Sequence, residues 1–371
     1  MKVTDNGWQV LDRLDPRERG TGRIAVLDIE TWGLNATPGA FALGVVYDGQ
    51  KFYHFTNVDD MRNWLLTRYH RGWRFYAHNG FGYDYLAIFG NLFHFFNQDS
   101  GHIIIENAGK FYACKYLIRQ RVNKNGKRCN EYVGFYDSYN ILPVSVEEMG
   151  EALGYPKSQT PEKFKTGERS EITDEDWQYC ERDCEIVYKM LKDFFSKYGN
   201  GLTIAGIAMK FFRRHFLRKP IFVKPELDYM FREAYYGGRV ECYDLAYHDQ
   251  ASYYDINSLY PFAMSKMTPP NPATLRREEN ISVARLENLM VEYEGMAKVE
   301  VECKMELPIL PYRRKGKLVF PNGKFTTCVC FPELRLFVQH GGKITKVHYV
   351  IYGKGLVNHD LSRYALTLYS A

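Results

Sequence analysis

The sequence predicts a multidomain protein of mixed α/β and α+β class, and three observations carry that prediction. A chain of 371 residues exceeds what one ordinary hydrophobic core organises, so two or more domains are expected. Over roughly the first half, short apolar runs alternate with amphipathic stretches of helical period, the pattern of a sheet flanked by helices. From Val291 to Leu356 the chain turns to β-rich runs separated by polar turns. With 45% hydrophobic and 25% charged residues the composition is that of a globular protein, which excludes a disordered chain or a fibrous repeat.

The elements follow in order. Arg23–Ile29 (RIAVLDI) is a short apolar run that reads as a strand, and Ala40–Tyr47 (AFALGVVY) reads as a second strand after a turn containing Gly and Pro. Val58–Tyr69 has the spacing of an amphipathic helix, Arg74–Ala77 that of a strand, and Tyr85–Phe96 that of another helix. Asn125-Gly126 separates two β-rich stretches, Lys110–Val122 and Glu131–Tyr136, and both turn residues tolerate positive φ, so a hairpin is predicted. Thr173 is placed to cap a long helix with an acidic first turn, which runs to Tyr198 and stops at Gly199 and Gly201. The first domain boundary is expected there, near residue 200. Beyond it come a basic helical segment, a turn at Tyr235–Gly238, a strand centred on Tyr253–Ile256, and a break at Met267–Pro272 (MTPPNP). The predicted organisation is an N-terminal extension (1–20), an α/β domain (21–200), a linker with the start of a second domain (201–266), and a β-rich remainder (267–371).

The net charge of +5 is modest, yet the basic residues cluster. Lys115–Arg128 and Gly201–Pro225 each hold six Lys or Arg and no acid, enough to neutralise backbone phosphates, although a basic face can equally be a solvated one. Phe211, Phe212, Phe216 and Phe222 interleave the second run; core packing is the default role for such residues and base stacking the alternative. The eight cysteines include no paired CxxC knuckles and read as reduced thiols of a cytosolic protein. The N-terminus MKVTDNGWQV has no apolar signal core, and no stretch of about 18 apolar residues offers a membrane span, so a cytoplasmic location is expected.

Four acids stand out by position. Asp28 and Glu30 end an apolar strand two residues apart and so share a face, though Asp-x-Glu at a strand end is commonly just solvated. Asp84 follows a predicted strand and precedes an apolar helix, where N-capping is the plainer role. Asp183 lies within the predicted long helix with Tyr179 one turn earlier, and the simpler reading is a surface pair. Together, four carboxylates and a phenol suffice for a two-metal phosphodiesterase site, because hard divalent ions such as Mg2+ or Mn2+ take carboxylate ligands.

The same residues carry a family resemblance. LDIET, HNGFGYD and YCERD resemble, in order, the three exonuclease motifs of family B DNA polymerases. The resemblance implies an RNase H-like (DnaQ-type) 3'-to-5' exonuclease domain followed by part of a family B polymerase palm with a β-rich insertion. It implies that Asp28, Glu30, Asp84 and Asp183 hold two metal ions, that Tyr179 orients the attacking water, and that Asn79 and Tyr83 contact the frayed primer end. FYDSYNILP resembles the segment in which the protein-primed branch places a single-strand-binding Ser, here Ser138, with a turn Ser as the plain alternative. That branch also carries a catalytic Lys upstream of the third motif. Lys157 stands near the expected distance before Tyr179, with Thr160 where the branch has a hydrophobic residue, and Lys163 and Lys165 are its rivals.

Further along, Tyr235-Tyr236-Gly237-Gly238 resembles the family's Tyr-x-Gly-Gly linker, which implies template contacts by Tyr235, Gly237 and Gly238. YYDINSLYP resembles polymerase motif A. On that likeness Asp255 holds catalytic metal, the backbone of Asn257, Ser258 and Leu259 approaches the nucleotide, and Tyr260 stacks under its sugar. Neither a Lys/Asn/Ser/Tyr/Gly fingers motif nor an Asp-Thr-Asp turn follows before Ala371. The expectation is therefore a truncated or split DNA-directed DNA polymerase with a working exonuclease, unable to polymerise alone. Its expected partners are single-stranded DNA 3' ends, primer-template, a terminal protein primer, and a second chain bearing the remaining motifs. A stand-alone 3'-to-5' exonuclease and a non-catalytic DNA-binding subunit of a replication complex are the alternatives.

Overall fold

The computed structural model describes residues 2–4, 7–15, 22–123, 125, 126, 128–357 and 359–370. Residues 16–20, which close the predicted N-terminal extension, residue 21, which opens the predicted α/β domain, and Lys124 and Lys127 of the basic hairpin lie outside the described set. The chain divides into two units, Asp15–Phe211 and a second made of Met1–Leu14 with Phe212–Ala371.

The first unit is built on a seven-stranded mixed sheet. Its strands are β1 (Ile24–Thr31), β2 (Phe41–Tyr47), β3 (Phe52–Phe55), β4 (Arg74–Ala77), β5 (Ile103–Asn107), β6 (Lys110–Val122) and β7 (Arg128–Asp137), in the order β3-β2-β1-β4-β7-β6-β5. The centre, β1, β4 and β7, is parallel, and the flanking pairs are antiparallel. Alternation along β1 explains how both faces are covered. Ile24 and Val26 point into one core with Cys180, Cys184, Ile186 and Leu191, whereas Ala25, Leu27 and Ile29 point into the other with Met61, Leu65, Tyr85 and Ile88. Complete burial of side chains such as Leu27 and Phe75 contributes roughly 1.5–3 kcal/mol each.

The helices were legible except at their ends. The helix α1 covers Val58–Leu65, where Val58–Tyr69 was predicted, and a separate 3-10 turn follows at Arg68–His70. The predicted helix Tyr85–Phe96 is two pieces, α2 (Asp84–Phe89) and α3 (Leu92–Phe95), because Gly90 adopts φ 70° and ends the first. The long helix α4, Asp174–Tyr198, starts as expected after Thr173, whose N–H donates to Asp176 Oδ2 at 2.7 Å, and stops at Gly199 with φ 83°. It lies across β1 and β2.

In the second unit a four-stranded antiparallel sheet runs Arg276–Glu279, Lys343–Gly353, Glu294–Cys303, Gly323–Cys330. Helices Val283–Glu292 and Phe331–Gln339 cover one face through Leu286, Leu289, Leu334 and Phe337, and helix Pro225–Glu233 lays Leu227, Met230 and Phe231 against Met296 and Ile351 on the other. The first residues also belong here: Lys2–Val3, Gln9–Leu11 and Ile221–Val223 form a small antiparallel sheet.

One predicted element is absent. Residues 251–256, expected to form a strand around Tyr253–Ile256, form no regular structure. Tyr253 and Tyr254 are 93% and 89% exposed. Aromatic and β-branched residues favour strands only when a neighbouring strand offers a ladder and a surface to pack on, and among the described residues none pairs with this segment. Among the described residues no helix is long and apolar enough to cross a membrane.

Candidate active site

Asp28 and Glu30 project from β1 on the side of the sheet that α4 covers, as the alternation with Ile29 requires. Asp84 opens α2 just past the C-terminal end of β4, and its Oδ1 accepts the Ile29 N–H at 3.2 Å, which ties the helix start to β1. Asp183 sits in the middle of α4. The C-terminal ends of parallel strands form the usual ligand crevice of an α/β sheet, and three of the four acids reach it from β1 and from the loop after β4.

These carboxylates share one electrostatic environment. Burial first, and then the Asp183 charge, pushes Asp28 up to about 7. Burial, followed by Asp28, holds both Glu30 and Asp84 well above the usual carboxylate range. Asp183 is raised by burial, partly offset by Lys157. Asp84 and Asp183 are each only 4% exposed, and Asp183 Oδ1 is buried without a hydrogen-bond partner. Several acids that cannot ionise together without a counter-charge, one of them with an orphaned oxygen, match the needs of a divalent cation. Among the described residues no three His, Cys, Asp or Glu side chains already stand in a ligand cage, so the fit rests on charge and donor chemistry.

Other side chains complete the surroundings. The Lys157 ammonium donates to Asp183 Oδ2 and lies 4.8 Å from the Tyr179 ring centre. Burial works against its charge, yet Asp183 more than offsets this and raises the Lys157 pKa. Its rivals are engaged elsewhere: Lys163 pairs with Asp176, and Lys165 with Glu162 at 2.9 Å. Tyr179 is buried, its phenol held above its ordinary range by burial and then by Asp183, and its oxygen is 3.0 Å from Thr160 Oγ1. The Tyr83 phenol meets the Thr31 hydroxyl. Asn79 is exposed, with φ 58°.

Ser138 has no exposed surface; its hydroxyl donates to Ala77 O at 3.1 Å and stands 3.0 Å from His78 Nδ1. The serine thus lies beneath the loop after β4 and is tied to the end of that strand. Three contributors escaped sequence reading. Asp137 anchors the same loop through the Asn79 N–H, Thr160 bonds the Tyr179 phenol, and the Cys180 thiol donates to Asp28 Oδ2 at 3.2 Å. Asp137 and Cys180 stand inside FYDSYNILP and YCERD, and Thr160 showed as a polar residue where a hydrophobic one was expected, yet none of the three had a role legible in the sequence.

The remaining predicted residues lie in the second unit. Tyr235, Gly237, Gly238, Asp255, Asn257, Ser258, Leu259 and Tyr260 are all exposed. Ser258 takes φ 55° at the start of helix Leu259–Lys266, an uncommon conformation for a residue with a Cβ. A Cβ placed on Gly238 would stand 3.8 Å from Tyr260 Oη, so the glycine pair and the YYDINSLYP segment meet.

The DNA-directed DNA polymerase of Enterobacteria phage PRD1 is 26% identical over 284 residues, covering 75% of this chain and 46% of that protein. A probable DNA polymerase of Podospora anserina is 22% identical over 441 residues, covering 94% and 36%. The chain thus spans less than half the length of these curated relatives. Among solved structures, the Phi29 DNA polymerase in an orthorhombic crystal form superposes with a TM-score of 0.68 at 15% identity, covering 94% of this chain and 67% of that one. The Phi29 DNA polymerase complexed with single-stranded DNA gives 0.67 at 16% identity, covering 93% and 66%. The family model for type B DNA polymerases of organelles and viruses matches residues 155–357, more than half of the chain and including Lys157, Tyr179, Asp183 and YYDINSLYP, and the chain belongs to that family.

Proposed function

We propose that residues 15–211 form a two-metal 3'-to-5' exonuclease that trims single-stranded DNA ends, within the front portion of a protein-primed DNA-directed DNA polymerase. The observation that supports this best is the set Asp28, Glu30, Asp84 and Asp183, delivered by three separate elements into one field where burial and mutual repulsion disfavour their charges. Asp28, Glu30, Asp84 and Asp183 would hold Mg2+ or Mn2+. Such ions supply activation of the attacking water and neutralise charge on the phosphate.

The chain's own groups do the rest. Lys157 balances Asp183 and places a fixed positive charge where negative charge develops on the scissile phosphate. Tyr179 orients the attacking water. Asn79 and Tyr83 hold the frayed end, and Ser138 supports their loop through His78 and Ala77. Mononucleotide release from a single-stranded 3' end in Mg2+, abolished by Asp28→Ala combined with Glu30→Ala, is the expected result. Release that survives the double change removes the site assignment.

A second reading concerns synthesis and rests on YYDINSLYP. Asp255 supplies one palm carboxylate, with Asn257–Leu259 and Tyr260 serving the nucleotide and Tyr235, Gly237 and Gly238 the template. Nucleotidyl transfer by two metals needs a second carboxylate, which polypeptide beyond these residues, continuous or separate, would bring. The exposure of Tyr253, Tyr254, Ile256 and Tyr260 supports such a partner surface. Primer extension by these 371 residues unaided would refute this reading. The proposed setting is the cytosol, with DNA and a terminal protein as partners.

A further inference from the structure

Thr160 is the residue at which this chain departs from the hydrophobic position of the resemblance, and the structure puts its hydroxyl 3.0 Å from the Tyr179 phenol oxygen. Tyr179 is only 5% exposed. The two side chains lie at the edge of an open polar cleft of about 750 Å³ whose lining also includes Lys157, Gln178, Glu147, Glu162 and Glu175. Lys157 lies over the phenol ring, and Asp183, one helical turn along α4, carries the orphaned oxygen. The Lys157 side chain also meets the phenol oxygen and can only donate to it, so the phenol O–H is left to turn toward Thr160. We propose that Thr160 is a positioning residue for Tyr179: its hydroxyl fixes the phenol O–H so that the oxygen presents a defined lone pair to the attacking water.

This inference rests on the exonuclease reading for its consequence, but the hydrogen bond is observable without turnover. Thr160→Val keeps the shape and removes the hydroxyl, and Thr160→Ser keeps the hydroxyl. With wild-type protein active, Thr160→Val is expected to lower kcat for nucleotide release about fivefold, the worth of one net hydrogen bond, at unchanged KM, and Thr160→Ser to restore it. On a Tyr179→Phe background Thr160→Val should have no further effect. The 13Cζ resonance of Tyr179, assigned by its loss in Tyr179→Phe, should shift in Thr160→Val and not in Thr160→Ser, whether or not the protein releases nucleotides. An unshifted resonance in Thr160→Val overturns the inference. So does equal slowing by Val and Ser, or slowing of Tyr179→Phe as large as that of wild type. Wild-type protein that releases no nucleotide while the resonance shifts as expected would overturn the exonuclease reading and leave the contact standing.

Discussion

The Asp137 carboxylate at the end of β7 accepts the backbone N–H of Asn79 at 2.9 Å, and the same oxygen accepts the N–H of Tyr139 at the same distance. One buried acid therefore holds the loop that leads from β4 to Asp84, across two parallel strands. Asp137→Ala leaves both amides without that acceptor and is expected to cost about 1–3 kcal/mol of stability, with Asp137→Asn recovering part. Chemical denaturation of the three proteins measures it; an Ala variant as stable as wild type contradicts the anchoring role.

Metal-free protein should lose stability as pH rises. Asp28 titrates near pH 7 in the fold, raised by burial and then by Asp183, and burial lifts Glu30 and Asp84 as well. An unfolded carboxyl gives up its proton near pH 4, so between about 4 and about 7 the folded state keeps the Asp28 proton that the unfolded chain has lost. The Asp28 contribution is full below pH 4 and is lost as pH climbs through 7, and Glu30 and Asp84 act in the same direction. Melting in EDTA is expected at a lower temperature at pH 8 than at pH 5.5, with a flatter slope in Asp28→Asn and recovery on adding Mg2+. A slope that Asp28→Asn leaves unchanged refutes the attribution.

Lys157 should be separable from its neighbours. Lys157→Met removes the charge beside Asp183 and is expected to slow nucleotide release by about a hundredfold. Lys163→Met and Lys165→Met, whose partners are Asp176 and Glu162, should leave the rate close to wild type. Steady-state rates of the three variants decide between them, and an equal loss in all three would remove Lys157 from its proposed role.

The stretch 249–256 has no secondary structure, and Tyr253, Tyr254 and Ile256 are exposed. Hydrogen exchange there should reach completion in seconds at neutral pH, while Val299 and Val350 in the four-stranded sheet stay protected. Mass-spectrometric exchange tests this, and protection at Tyr253–Ile256 in the isolated protein would show an ordered strand.

What sequence could reveal depended on whether a feature was local. Asp28 and Glu30 declared themselves through strand alternation, and Thr173 through its cap and acidic first turn, because each signal lies within a few residues. The helix break at Gly90 was visible only as a glycine; its left-handed φ decided the outcome. Tyr253–Ile256 has every local mark of a strand and fails for want of a neighbour, which no local pattern records. Asp137, Thr160 and Cys180 act on residues 58, 19 and 152 positions away, and such pairings are set by topology.

The pairing of Gln9–Leu11 with Ile221–Val223 reaches beyond its three-stranded sheet. The unit that carries YYDINSLYP begins before residue 15 and resumes after residue 211, so the carboxylate-bearing unit is inserted into it like a clause in parentheses. Trimming the first dozen residues as a dispensable leader would therefore strip two strands from the unit that carries YYDINSLYP and none from the seven-stranded sheet.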